Sequence, residues 1–220
     1  MAKTSKKAGM GKNKPVKGVD RRVTLAPDKY LTPAEEAKLL AHVRSRADAA
    51  RLRGSRRSIF DEFLVMLLLR SGLRIAEACD LDIGDTPFEH GKNALHVKCG
   101  KGGVRRTVGI SPLLRQRIRT FILQFRSKAK ATDPLLIAEN GNRLAHMSAY
   151  QKIRRLGREV GLKLSPHVLR HTYAMKLYAQ EKDLLLTSQQ LGHASPTTTA
   201  IYARTSPVDA ARQIAALDYE

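Results

Sequence analysis

The sequence predicts an α+β chain that is mainly α, with helices around one small antiparallel β-hairpin. Three observations carry this. Apolar residues recur at helical spacing from about residue 33 to 80, and again from 111 onward. Between these stretches Leu95 and Val97 alternate with His96 and Lys98, the period of a half-buried strand. Gly100-Lys101-Gly102-Gly103 then separates that run from Val104–Ile110, which gives a hairpin with a glycine-rich tip.

The elements follow in order. Residues 1–22 hold six Lys, two Arg and one acid, with almost no large apolar side chain, so they cannot bury enough surface to fold alone. Residues 1–30 are therefore expected to be a disordered basic tail, which either contacts phosphates or serves as a solubilising extension. Thr32-Pro33-Ala34-Glu35 reads as an N-cap, a first-turn proline and an acid at N3, opening a helix over about 33–49. Arg51–Arg57 reads as a basic linker. Ser58–Arg70 is expected to be a buried helix that stops at Ser71-Gly72, and the next helix starts near Arg74 and covers Ile75–Asp80. After the hairpin come a helix over 111–128, a short strand at Pro134–Ala138, and helices near 147–160, 167–180, 184–191, 196–203 and 207–217. No internal repeat is found. The domain expectation is a folded region over 31–220 behind the tail.

Composition narrows the function. The apolar fraction of 42% suffices for a core, and the lack of Trp makes that core aliphatic. Lys and Arg total 40 against 20 acids, a net charge of +20, which points to a polyanionic partner. A basic surface kept for solubility is the alternative. Cys79 and Cys99 form no framework and read as reduced thiols. The longest apolar run, Phe63–Leu69, is too short to span a membrane, and the basic N-terminus lacks the apolar segment of a secretory signal. A cytoplasmic, nucleoid-associated location is expected, with no membrane.

Five places offer groups suited to a phosphodiester. Arg74 follows a glycine break and opens a helix, where phosphate is attracted; it could equally be a surface arginine paired with Glu77 at i,i+3. Lys101 sits between glycines at the hairpin tip, where it either reaches into a groove or is a solvated turn residue. No Gly-x4-Gly-Lys-Ser/Thr pattern is present, which argues against a nucleotide loop. Ser165 caps and Pro166 starts a helix whose first turn carries His167 and Arg170 on one face. His171, at i+4 from His167, makes a zinc pair conceivable, but the adjacent Glu and nearby further ligands are missing, so it reads as a buried, hydrogen-bonded histidine. His193 follows Gly192, which ends a helix. Tyr202 lies in Ala200-Ile201-Tyr202-Ala203-Arg204 and alone would read as core.

In sequence order these positions resemble the tyrosine recombinase (phage integrase) family. Gly72-Leu73-Arg74-Ile75-Ala76-Glu77 is similar to its first arginine box, and Gly100-Lys101-Gly102 to its hairpin lysine. His167-Val168-Leu169-Arg170-His171-Thr172 and Leu191-Gly192-His193-Ala194-Ser195 resemble its second and third boxes, and Thr198-Thr199-Ala200-Ile201-Tyr202 its nucleophile box. The resemblance covers roughly residues 32–217. It implies the tyrosine recombinase catalytic fold and a site-specific recombinase of the Xer or short fimbrial-invertase kind. Arg74, Arg170 and His193 would stabilise the transition-state charge. Tyr202 would attack phosphorus to give a 3′-phosphotyrosine, Lys101 would protonate the leaving 5′ oxygen, and His167 would help accept the tyrosine proton. Glu77 would orient Arg74, and Thr172 and Arg204 are candidate backbone or phosphate contacts. No metal or cofactor is implied. Double-stranded DNA is the expected partner, with a homotetramer on synapsed DNA; off DNA the state is left open, a monomer being one option.

Family members carry a separate DNA-clamping domain before the catalytic one, whereas about 30 residues precede the first helix here, which places autonomous site-specific affinity in question. The apolar stripe Val208, Ala211, Ile214, Ala215 and Leu217 packs either on a neighbouring protomer or on its own domain. A type IB topoisomerase-like relaxing enzyme and a catalytically silent DNA-binding regulator remain as alternatives.

Overall fold

The computed structural model describes residues 29–87, 91–98, 105–193 and 196–203. Most of the basic tail, the hairpin tip with Lys101, Arg204 and the stripe from Val208 to Leu217 lie outside the described residues.

Helix α1 (Pro33–Leu52) starts at the capping box read from the sequence: Thr32 Oγ1 accepts the Glu35 N–H, and Glu35 accepts the Thr32 N–H. It runs three residues beyond the expected end. Arg51, read as linker, stays helical because its guanidinium bonds Asp48 one turn back and Glu62 on the next helix. Helix α2 (Arg57–Ser71) ends at Gly72, whose φ of 65° is left-handed. A Cβ there would stand 2.2 Å from Tyr173 Cδ1, so the position needs glycine twice over. Helix α3 (Ile75–Asp80) and a 3-10 turn (Ile83–Asp85) lead to the antiparallel pair β1 (Ala94–Lys98) and β2 (Arg105–Gly109), in register from Ala94–Gly109 to Lys98–Arg105.

Helix α4 (Pro112–Phe125) is capped by Ser111. The expected strand at Pro134–Ala138 is instead two isolated bridges, Asp82–Pro134 and Ile137–Arg143. The proline supplies no N–H for a ladder, and the chain turns at Gly141 to pair with itself rather than extend. Helices α5 (His146–Glu159), α6 (Pro166–Glu181), α7 (Leu184–Leu191) and α8 (Pro196–Ala203) follow.

Helix α2 forms the centre. Leu64, Val65, Leu67 and Leu68 are at most 1% exposed, and α1, α4, α5 and α6 pack around it. Burial on every side explains its unbroken apolar run. Truncating one such leucine to alanine costs about 2–5 kcal/mol. Asp61 is also buried on α2 and bonds Lys152 (2.9 Å) and Arg155 of α5. Arg155 continues to Glu159, which holds His42 and Arg46 of α1. Charge pairs thus join the three helices on one side of the core. Among the described residues no helix is long and apolar enough to cross a membrane.

Candidate active site

The site is built from helix ends. The last carbonyls of a helix lack intrahelical partners and carry partial negative charge. At the end of α2, the Gly72 carbonyl accepts Arg170 Nη1 at 2.7 Å. At the end of α7, the Leu191 carbonyl accepts Arg170 Nη2 at 2.6 Å and Arg106 Nη2 at 3.3 Å, and the Gly192 carbonyl accepts Arg74 Nη2 at 3.2 Å. Gly192 is left-handed at φ 63°, and a Cβ on it would lie 2.5 Å from Arg106 Nε. Three guanidiniums from α6, β2 and the N-terminus of α3 therefore meet at the ends of two helices.

Glu77 sits among them, with a side chain only 10% exposed. It accepts Arg74 Nη1 at 2.8 Å, the Arg74 N–H at 2.8 Å and Arg106 Nη1 at 2.7 Å, and lies 4.0 Å from Arg170. Burial alone would raise its carboxyl pKa, but the bonds from Arg106 and the Arg74 backbone outweigh this and hold it below the usual value. Arg74 stands at the start of α3 and makes the i,i+3 pair with Glu77 that its alternative reading expected. Arg170 is 5% exposed, and its pKa is lowered to about 10 by burial and then by Arg74 and Arg106. It stays charged at neutral pH. Two of its five donors go to helix-end carbonyls.

Tyr202 on α8 is 4% exposed. Its ring belongs to a small cluster with Ala174 and Leu191, apart from the main core. Its hydroxyl lies 2.7 Å from His171 Nδ1. Burial raises its pKa, partly offset by the charge of Arg170. His193 follows Gly192 and places Nδ1 2.9 Å from Thr199 Oγ1. Burial, then Arg170 and Arg74, lower His193 to about 4. Burial, then His167 and Arg170, lower His171 to about 4. Both rings are neutral at pH 7 and can offer a lone pair. His167 is exposed one turn before His171, with ring centroids 6.4 Å apart.

The structure brings Arg74, Glu77, Arg170, His171, His193 and Tyr202 to one corner. Lys101 lies outside the described residues. The Thr172 hydroxyl contacts backbone: it donates to the Val168 carbonyl and accepts the Leu31 N–H, tying the chain before α1 to α6. Sequence reasoning missed Arg106. Its signal was weak, an arginine in a strand of alternating character, and its partner Glu77 lies 29 residues away. It also missed Thr199.

Fold and corner together define a mainly helical domain that presents excess positive charge beside a buried tyrosine. The phage integrase family profile matches residues 29–208, and the chain belongs to that family. Among curated relatives, the tyrosine recombinase XerA of Pyrococcus furiosus is 36% identical over 152 residues, 66% of this chain and 50% of the relative. The chain spans about half the length of that relative. The crystal structure of XerA recombinase superposes with a TM-score of 0.66 at 25% identity, covering 87% of this chain and 64% of that one. The XerH site-specific recombinase bound to its difH substrate before cleavage gives a TM-score of 0.67 at 25% identity, covering 87% and 55%. The fold is that of the tyrosine recombinase catalytic domain.

Proposed function

We propose that this chain is the catalytic part of a site-specific DNA recombinase that breaks and rejoins double-stranded DNA through Tyr202. One observation carries the reading: residues as far apart as Arg74 and Tyr202 in sequence converge on one corner, where, among the described residues, three arginines face one carboxylate. A phosphodiester supplies the missing negative charge. Arg74 and Arg170 have donors left after their carbonyl bonds, and these would hold the non-bridging oxygens as charge grows on them. With His193 Nδ1 accepting the Thr199 hydroxyl proton, Nε2–H is free to donate to the same phosphate. The Tyr202 oxygen attacks phosphorus, the bond to the 5′ oxygen breaks, and the 3′ phosphate becomes a tyrosine ester. Lys101 protonates the departing oxygen. Attack by another 5′ hydroxyl reverses the step, so the ester bond conserves the energy needed for rejoining. His167, exposed in the first turn of α6, faces the same substrate.

The proposed organisation is a basic tail over 1–30 and a catalytic domain over 31–220, acting as a homotetramer on synapsed DNA in the cytoplasm. The test uses nicked suicide duplexes drawn from the DNA flanking the gene and from a random-sequence library. Wild type is expected to form covalent protein–DNA adducts. Tyr202→Phe is expected to form none and to retain DNA binding, with affinity falling steeply as salt rises. Wild-type protein that forms no adduct on any such duplex would sink the proposal.

A further inference from the structure

We infer that His171 is the base that takes the Tyr202 proton as the tyrosine oxygen attacks phosphorus. The inference rests on the strand-transfer reading and assigns a catalytic role within it. Its ground is geometry: the Tyr202 hydroxyl lies 2.7 Å from His171 Nδ1, while His167 stands one turn away on the exposed side. A general base must reach the proton it removes.

The surroundings suit the role. His167 and Arg170 flank His171 on α6; Tyr202 faces it from α8, His193 from the turn after α7, and Lys29 from before α1. Burial, then His167, Arg170 and Lys29, keep the ring neutral in the free protein. With Nε2 carrying its proton, Nδ1 presents a lone pair to the hydroxyl. A bound phosphodiester adds negative charge to this corner, which raises the basicity of the imidazole when substrate arrives. In the step, the Tyr202 O–H proton moves to Nδ1, the oxygen–phosphorus bond forms and the bond to the 5′ oxygen breaks. Rejoining returns the proton to Tyr202.

The experiment measures single-turnover adduct formation on a nicked duplex that wild type captures covalently from a random-sequence library. His171→Ala is expected to slow it about 10²-fold or more at pH 7, with DNA affinity within about threefold of wild type. The deficit should shrink about tenfold per pH unit, because hydroxide removes the proton in place of the base. Added imidazole should restore part of the rate. His171→Gln keeps a hydrogen-bonding group without basicity and should stay slow while folding and binding normally. Wild-type speed in His171→Gln overturns the inference. So does a His171→Ala deficit that neither pH nor imidazole changes, or imidazole rescue of His167→Ala alone. In each case wild-type adducts leave the strand-transfer reading standing. No adduct from wild type removes both.

Discussion

Two carboxylates, one buried and one nearly so, divide the molecule by purpose. Asp61, in the body, is met by Lys152 and Arg155, and Arg155 is shared onward with Glu159. Along that network from α1 to α5 each of the two acids is shared between bases, Asp61 between Lys152 and Arg155 and Glu159 among His42, Arg46 and Arg155. Glu77, in the corner, is met by Arg74, Arg106 and Arg170. One acid against three arginines leaves, among the described residues, a surplus of two positive charges. Among the described residues, Arg170, Arg74 and Arg106 also donate to the carbonyls of Gly72, Leu191 and Gly192 at two helix ends. Such dipoles hold a guanidinium in place without cancelling its charge. The body's charges are spent on holding helices together; the corner's remain available to an anion.

The largest expected effect breaks this division at Arg170. Lysine keeps the charge, yet cannot bond the Gly72 and Leu191 carbonyls together as a planar fork does. Arg170→Lys is expected to slow adduct formation about 10²–10³-fold, the range for losing one transition-state donor. The measurement is single-turnover cleavage of a captured nicked duplex. A variant cleaving within threefold of wild type would mean that Arg170 is only a strut.

The body gives the opposite signature. Asp61→Ala leaves Lys152 and Arg155 without their shared partner. Because both bases are partly exposed, the expected loss is near the low end for a broken buried pair, about 3 kcal/mol. Urea unfolding measures it. Cleavage per folded molecule should stay within about twofold. A large rate loss well below the melting temperature would mean that the two networks are coupled.

How much of this was legible depended on the range of the interaction. Thr32-Pro33, Ser111-Pro112 and Ser165-Pro166 announce helix starts through bonds spanning three residues, and Gly72 and Gly192 announce ends through backbone geometry. Those starts and ends lie within a residue or two of where the sequence puts them. The end of α1 does not, because Arg51 answers to Glu62, eleven residues on. Arg106 was illegible for the same reason in stronger form. Its role depends on which face of β2 meets Glu77, and strand register is set by tertiary packing. The bond from His171 to Tyr202 spans 31 residues and two helices, so sequence spacing could expect a bonded histidine but not its partner. Order along the chain revealed the set of groups; only the fold revealed which touch.

A smaller effect sharpens the role of Arg106. Arg106→Lys keeps a charge near Glu77 but loses the span from Glu77 to the Leu191 carbonyl. Arg74 would then be held less firmly, and misplacement of a catalytic group by about 1 Å costs up to about 10²-fold. A loss of roughly tenfold in the adduct rate is expected, with DNA affinity unchanged. If affinity falls and the rate does not, Arg106 serves binding rather than alignment.

The smallest effect is on stability against pH, and the two regions separate there too. Folding depresses His171 and His193 from an ordinary value of 6.5 to about 4. Between those values the unfolded chain binds protons that the folded corner refuses. The stability they contribute is therefore complete above about pH 6.5 and declines as pH falls toward 4. In the body, Glu159 resists burial through His42, Arg46 and Arg155, and its carboxyl is lowered. Its contribution is lost only as pH falls below the ordinary carboxylate value of 4.5. Wild-type urea midpoints should thus drop from pH 7 to pH 5 because of the corner. His193→Gln should show a smaller drop over that window and an unchanged further drop below pH 4.5. Equal drops in both proteins between pH 7 and 5 would mean that His193 carries its proton in the folded state, where it would add a third cationic donor for the phosphate rather than a neutral one.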